Sequence, residues 1–531
     1  MENIDFAIVG AGAAGCILAA RLCEKGANVV VIEAGAKETS PLLSVPAAET
    51  KWLGNPKYDW GYRTESDPTL YDRKLIIPRG RLVGGSNIIN GTLFVRGQED
   101  DYNRWQAAGA KGWDWKGVLP YFKKLEDWQG GANEVRGAGG PIRIERVRDT
   151  NKLCDAFIKG ALELGYPKNA DYNSGNVEGF GYYQCTQRAG KRVSVVDGYL
   201  KKIDPAKCKL ITNATVSKLE FDDEKNCTGV SYVKDGKEHT ISVNKEVIVS
   251  AGTIGSPQVL ELSGIGNPEI LKKAGVPVVH ELEGVGENFQ DHFSTRLRWR
   301  VLQRVTFNER LRGWPFIKEC IKYIFKKRGV LSMPIAIGYG FVKSDPKEPV
   351  PDLQFHFAPA SYGPEDKRRL EKEPGMTIGV YPLRPESRGA IHIKNDNPKS
   401  APSITTQFLS SKEDIRRLLA GIRIAREIAH APAFEKFRGK ENIPGKEEVS
   451  EAQLIEQLKK TGDTSYHPIG TCKIGEDKSA VVNSRLQVHG VNNVRVIDAS
   501  VMPEMISGNT QAATMMIAEK GAAMVVEDHF A

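Results

Sequence analysis

Three glycines and one acid near the start of the chain carry the first chemistry that the sequence can perform. Gly10, Gly12 and Gly15 stand in G-x-G-x-x-G spacing, and Glu33 follows eighteen positions after the last of them. Lacking Cβ atoms, Gly10 and Gly12 permit a tight turn and let a pyrophosphate approach the backbone at a helix N-terminus. Gly15 permits a helix to pack closely on a strand. Glu33 is placed to accept hydrogen bonds from ribose hydroxyls. Together they point to a bound dinucleotide, and NAD and FAD both stay open because they share this fingerprint.

The elements that must position these residues are legible around them. Residues 6–35 read FAIVGAGAAGCILAARLCEKGANVVVIEAG. An apolar run ends in glycine, an Ala/Leu-rich helical stretch follows, and a second apolar run at 29–32 ends in the acid, which is one βαβ unit. A glycine-rich turn of an unrelated α/β protein would leave Glu33 unexplained. Periodicity weakens over 36–110, where the Gly- and Arg-rich segment 78–87 reads as a loop shaped around a ligand. A β-rich stretch at 208–251 alternates apolar residues with turns such as Asp235-Gly236. Farther on, strands are expected at 353–357, 390–393 and 494–498, and helices at 413–430 and 510–526. In LQFHF, alternation sends Phe355 and Phe357 to one face and His356 to the other.

Composition excludes several classes of protein. The chain has 531 residues, of which 40% are hydrophobic and 26% charged, with 53 Gly and 28 Pro. A chain of this size buries roughly three quarters of its unfolded surface, and disorder, collagen and low complexity are out. The net charge of +8 is spread without a long basic block, so nucleic acid is not an expected partner, although a weak attraction to phospholipid headgroups is. The eight cysteines are scattered, without C-x-x-C or a Cys/His cluster, so no metal site is expected and reduced thiols suit a cytoplasmic chain. The N-terminus lacks the basic and apolar parts of a signal peptide, no stretch reaches the ~20 apolar residues of a membrane helix, and the C-terminus carries no lipidation box. A cytoplasmic location follows as the expectation. Segment 315–328 qualifies it: Phe316, Ile317, Cys320, Ile321, Ile324 and Phe325 fall at helical spacing, with lysines and Arg328 on most of the rest. The commoner meaning of such a pattern is a helix packed on its own core with a solvated basic face. The other is a helix lying on the inner face of a membrane.

Two longer motifs carry a resemblance. Residues 80–103 contain Gly84-Gly85-Ser86, Asn90, Phe94 and Gly97, and residues 252–266 read GTIGSPQVLELSGIG. With HPIGTC beginning at His467 and SGNT containing Asn509, the sequence resembles the glucose-methanol-choline (GMC) oxidoreductases over essentially its whole length. One position departs, since Asn87 stands where the family prefers a small hydroxyl residue or glycine. The resemblance implies an α/β fold in which a Rossmann-type FAD-binding domain (1–155, 201–290 and 461–531) is interleaved with an α+β substrate-binding domain on an antiparallel sheet (156–200 and 291–460).

It also implies FAD-dependent oxidation of a primary alcohol to an aldehyde. His467 would be the general base and Asn509 would hold the alcohol oxygen, because the hydroxyl must lose a proton while the flavin takes a hydride. By the same similarity FAD contacts Gly10, Gly12, Gly15, Glu33, Arg81, Gly84, Gly85, Ser86 and Asn90, with Val216 near the adenine and Asp498 and Thr510 near the last helix. Residues 80–103 contain no histidine, so FAD is expected to be noncovalent. His292, in GENFQDH, is given a structural part, and His356 is weighed between structure and pocket lining. The forms HPxGTC, QEDDY, LQFHF and GNT look most like the bacterial choline dehydrogenase and aliphatic alcohol dehydrogenase branch. An aliphatic or aromatic alcohol is the expected substrate and oxygen or quinone the electron acceptor. The readings kept beside this one are an FAD-containing hydroxynitrile lyase on the same scaffold and a noncatalytic flavin-binding or membrane-associated module.

Overall fold

Short runs rich in Val and Ile become the strands of a five-stranded parallel sheet in a computed structural model that describes residues 3–363, 369–445 and 449–530. The spatial order is Cys208–Ile211, Val29–Ile32, Phe6–Val9, Glu246–Val249, Val494–Val496. Phe6 is in register with both Val29 and Glu246. The three central strands are buried at every position, which is why their sequences, apart from Glu246, are continuously apolar rather than alternating. Chain order reverses between Phe6–Val9 and Glu246–Val249, and in such sheets the crevice at the carboxyl ends of the strands beside that reversal receives the ligand.

The expected βαβ unit is present. Gly10 turns the chain with φ +97°, and helix Ala13–Cys23 follows, packed against the C-terminal helix Gln511–Phe530. A Cβ on Gly15 would stand 1.9 Å from the Gly10 carbonyl oxygen, so only glycine allows this helix to lie so close to its strand. Beside this sheet, strands Ala214–Phe221, Cys227–Lys234 and Lys237–Ser242 form an antiparallel meander. Its second turn is Asp235-Gly236, both at positive φ (51° and 76°), the combination a two-residue type I′ hairpin turn requires.

A second, seven-stranded sheet is antiparallel at every pairing. Its main path runs Arg438–Ile443, Phe293–Val301, Gly375–Pro382, Leu353–Ala358, Gly338–Val342, Gly179–Tyr182, with Asp463–Thr464 also on Phe293–Val301. Alternation sorts its faces as the sequence implies. Phe355 and Phe357 join Trp299, Ile378 and Val380 in a core shared with helices Lys152–Glu163 and Lys412–His430. His356 points the other way, to Tyr183 and Tyr381. The last parallel strand stops at Val496, and Asp498 instead caps the short 3-10 helix Ala499–Val501 by accepting from Ser500 N at 2.8 Å.

The amphipathic segment corrects the expectation of a helix seated on its own core. Helix Gly313–Lys326 buries Glu319 and Tyr323, whereas Trp314, Ile317, Ile321 and Ile324 are exposed and Phe325 is 80% exposed. The inward residues are polar anchors: Glu319 accepts from Arg310 Nε (3.0 Å) and Val330 N (2.9 Å), and Tyr323 donates to Gly190 O (3.1 Å). Among the described residues no helix is long and apolar enough to cross a membrane.

Because the atom facing Gly15 is a backbone oxygen that cannot rotate away, Gly15→Ala should destabilise the protein by about 1–3 kcal/mol, the cost of overpacking. Thermal unfolding checks this, and an unchanged midpoint would contradict the close contact.

Candidate active site

A cavity of about 430 Å³ opens at the carboxyl ends of the parallel strands. It brings together most of the residues singled out from sequence: Gly10, Gly12 and Glu33 from the βαβ unit, Gly85, Ser86 and Asn90 from the long loop, Val216 from the meander, and Asp498, Thr510, His467 and Asn509 from the C-terminal part. Three of the expected residues do not line it. Gly15 acts through helix packing. Gly84 ties its loop to the glycine turn by donating to Ala11 O at 2.7 Å. Arg81, expected beside the cofactor ring, is held back because its guanidinium lies 5.1 Å over the Trp60 ring, and Trp60 is the residue that reaches the cavity.

The two acids at strand ends act first on the backbone. Glu33 accepts from Ala11 N (2.9 Å) and Gly35 N (2.8 Å), one bond on each carboxylate oxygen. Asp498 accepts from Gly252 N (2.8 Å) and Ser256 Oγ (2.6 Å), fixing the start of helix Gly252–Leu262. Burial raises the pKa of both carboxyls, and the donated hydrogen bonds oppose that rise. Asn90 is likewise braced, accepting from Thr92 N (3.0 Å) and Arg192 Nη1 (2.6 Å). Asn87, the departure from the family pattern, spends its carbonyl on Val195 N at 2.9 Å.

The cavity suits a dinucleotide on its own geometry. A Cβ built on Gly12 meets nothing within 4 Å, so the turn presents open backbone to the cavity. Helices Gly252–Leu262 and Gln511–Phe530 both begin at the lining, where unpaired amides favour anions. Asn509 Oδ1 and Gln511 Nε2, on two lining residues, are buried with no hydrogen-bond partner, an arrangement that calls for a polar ligand.

His467 and Asn509 meet directly, with His467 Nε2 2.9 Å from Asn509 Nδ2. The other ring nitrogen, Nδ1, is 3.0 Å from His292 Nδ1. The backbone N–H of His467 donates to Asp291 Oδ1 at 2.8 Å, and Thr464 Oγ1 donates to the second oxygen of that carboxylate. Burial, reinforced by the neighbouring His292, His356 and Arg79, holds the pKa of His467 well below the ordinary imidazole value. The ring is therefore neutral near pH 7 and able to take a proton.

Several lining residues carry no local sign in the sequence. Trp60, Tyr62 and Tyr466 surround the cavity, as does Glu49, whose carboxyl burial pushes up to about 7. Tyr466 holds φ +67° immediately before His467. Other large aromatics lie elsewhere: Trp105 and Tyr339 are buried in cores and Trp314 is exposed on the amphipathic helix. The 252–266 motif faces the cavity along one side of its helix, from Gly252, Thr253, Ile254 and Gly255 to Gln258, Val259 and Leu262. Asp291 and His292 stand behind His467, and no local spacing announces them.

Comparisons with known proteins agree with this geometry. The GMC oxidoreductase family pattern matches residues 4–294 with its N-terminal part and 385–518 with its C-terminal part. The alcohol dehydrogenase (acceptor) of Pseudomonas putida is 38% identical, with 98% of this chain and 95% of that protein covered. The mitochondrial choline dehydrogenase of Homo sapiens is 39% identical, with 99% and 90% covered. A solved FAD-dependent oxidoreductase from Chaetomium thermophilum is 25% identical with a TM-score of 0.90, covering 99% of this chain and 100% of its own. With a dinucleotide crevice, an antiparallel sheet beside it and both family motifs in place, the chain belongs to the GMC oxidoreductases.

Proposed function

We propose that this chain oxidises a primary alcohol to the aldehyde, with His467 as the base and Asn509 as the residue that fixes the alcohol oxygen. FAD is its cofactor and, when bound, supplies the acceptor for the hydride lost from the carbinol carbon. The observation that carries the reading is the 2.9 Å approach of His467 Nε2 and Asn509 Nδ2 at the cavity wall. An alcohol oxygen that replaces Nε2 as the acceptor of the amide leaves Nε2 free to take its hydroxyl proton, which orients the carbinol C–H. Gly10, Gly12 and Glu33 would hold the dinucleotide end of FAD, and Gly85, Ser86, Asn90 and Thr510 its remainder. Among the described residues His467 is the only histidine lining the cavity, which supports a noncovalent cofactor. Relatives named for alcohol and for choline support an alcohol as the substrate, and Trp60, Tyr62 and Tyr466 line the cavity with aromatic rings.

The exposed helix bears on location and electron acceptor. We propose that Gly313–Lys326 rests on a membrane, its apolar residues in the interface and Lys318 and Lys326 near anionic headgroups. Basic residues at such a surface contribute about 1 kcal/mol each. The turn that follows, Val330–Ser332, packs against Pro46–Lys51, and that segment supplies Glu49 to the cavity. Two short packed turns thus connect this helix to a residue of the cavity wall, which favours a lipid-soluble quinone as acceptor.

Two measurements test these readings. Anaerobic addition of a primary alcohol should bleach the flavin absorbance, and His467→Ala should slow that reduction by roughly 100-fold or more, the scale of a lost general base, with FAD still bound. Full activity in the variant would remove His467 from its role. The holoprotein should sediment with vesicles containing phosphatidylserine, and Ile321→Glu with Phe325→Glu should abolish this without changing turnover with a soluble dye. A parent protein that stays in the supernatant at low salt contradicts the membrane contact.

A further inference from the structure

His292 is fully buried, directly precedes strand Phe293–Val301, and touches two partners whose chemistry is unequal. Its Nε2 lies 3.0 Å from the Leu383 carbonyl oxygen. A carbonyl only accepts, so Nε2 carries the hydrogen. The other nitrogen, Nδ1, lies 3.0 Å from His467 Nδ1, and two protonated nitrogens cannot face each other at that distance. A neutral ring already protonated at Nε2 has a bare Nδ1. His467 must then supply the hydrogen between the rings, which leaves its own Nε2 bare and aimed at Asn509 Nδ2, an N–H donor at 2.9 Å. The four groups form one directional chain: Asn509 N–H to His467, His467 N–H to His292, His292 N–H to Leu383 O.

The chain is anchored at its far end. Leu383 follows strand Gly375–Pro382, and its own N–H donates to Asp352 O at 2.8 Å. The His292 ring is stacked on Tyr381, with centroids 4.6 Å apart and planes at 29°, so a ring flip that exchanged nitrogens for carbons would sacrifice both hydrogen bonds. Other groups near the pair leave the assignment intact. Asp291 spends its carboxylate on the His467 backbone N–H and the Thr464 hydroxyl, Arg79 donates to Tyr466 O, and His356 is engaged by Tyr183 and Tyr381. No carboxylate bonds either ring among the described residues, and burial holds His292 down to about 4, so both rings are neutral near pH 7.

We propose that His292 is a positioning residue for the reaction: by accepting a hydrogen bond from His467 Nδ1 it locks the base in the tautomer whose bare Nε2 faces the substrate hydroxyl. This rests on the assignment of His467 as base. When Nε2 takes the hydroxyl proton, the resulting imidazolium keeps its Nδ1–H bond to His292, so the same contact that sets the tautomer also stabilises the charge that forms.

The test uses the FAD-loaded protein with His292→Leu, which removes the acceptor, and His292→Asn, whose carbonyl can take the place of Nδ1. Flavin reduction by alcohol should slow roughly 10- to 100-fold in the leucine variant, the scale seen when an outer partner of a reacting histidine is lost, with KM changed far less than kcat. The asparagine variant should recover most of the rate, and both should retain FAD and the parent thermal midpoint. An independent readout needs no variant: with 15N-labelled histidine, His467 in the parent protein at pH 7 should show a protonated Nδ1 and a bare Nε2. Parent-like reduction in His292→Leu, or a bare Nδ1 on His467, would overturn the proposal. If His467→Ala is inactive while His292→Leu is not, only the positioning role fails. If His467→Ala is active, the base assignment itself fails. Should His292→Leu lose FAD or unfold, the nitrogen spectrum of the parent still decides.

Discussion

The contact between the imidazoles of His292 and His467 joins positions 175 residues apart, and it can exist only where the second sheet is stitched to the crevice of the first. The stitching is a short antiparallel run. Phe293 pairs with Thr464, Ser465 N donates to His292 O at 2.7 Å, and Gln290 bridges Ile469. Beyond it, Thr253 Oγ1 donates to Pro468 O (2.8 Å) and Thr471 Oγ1 donates to Thr253 O (2.6 Å), which fastens the His467 segment to the first turn of Gly252–Leu262. The strand that supplies the second sheet thus also supplies the partner of the base, and the helix that opens on the cofactor crevice holds the base in place. Displacing either element by an ångström would break the hydrogen-bond chain before it disturbed any apolar core.

The same logic explains how two carboxylates can line a crevice that receives an anionic dinucleotide. A free carboxylate there would repel the ligand and be costly to bury. Glu33 and Asp498 instead accept from backbone N–H groups and, for Asp498, a serine hydroxyl, so each rigidifies the loop around it. Preorganisation of this kind places donors before the ligand arrives, when ordering them would otherwise weaken binding.

How much of this was legible in the sequence depends on the distance over which each feature is written. The glycine turn, Glu33 and the Asp235-Gly236 hairpin are local, because one backbone conformation at one position demands the residue. The split of LQFHF between faces is local too, since a strand has a period of two. The pairing of His292 with His467 is not: it depends on strand order in a sheet, and His292 has the same neighbours in sequence whether it is a core histidine or the partner of a base. The contact of Arg81 with the Trp60 ring is non-local for a related reason, since nothing in residues 80–103 reveals that Trp60 would arrive beside it.

The helix Gly313–Lys326 shows the limit most plainly, because periodicity identifies an apolar face without saying which way it turns. Facing Ile317, Ile321, Ile324 and Phe325 inward would gain about 1.5–3 kcal/mol for each side chain fully buried. The fold forgoes that gain and commits Arg310, the Val330 amide and the Gly190 carbonyl to polar anchors on the opposite side. A buried Glu319 is tolerable only with those partners, so the outward turn is built into the surrounding structure rather than left to a loosely attached helix. A second apolar phase over the exposed face, as in the proposed membrane contact, would return the free energy forgone. The lysines flanking that face favour one whose surface is negatively charged.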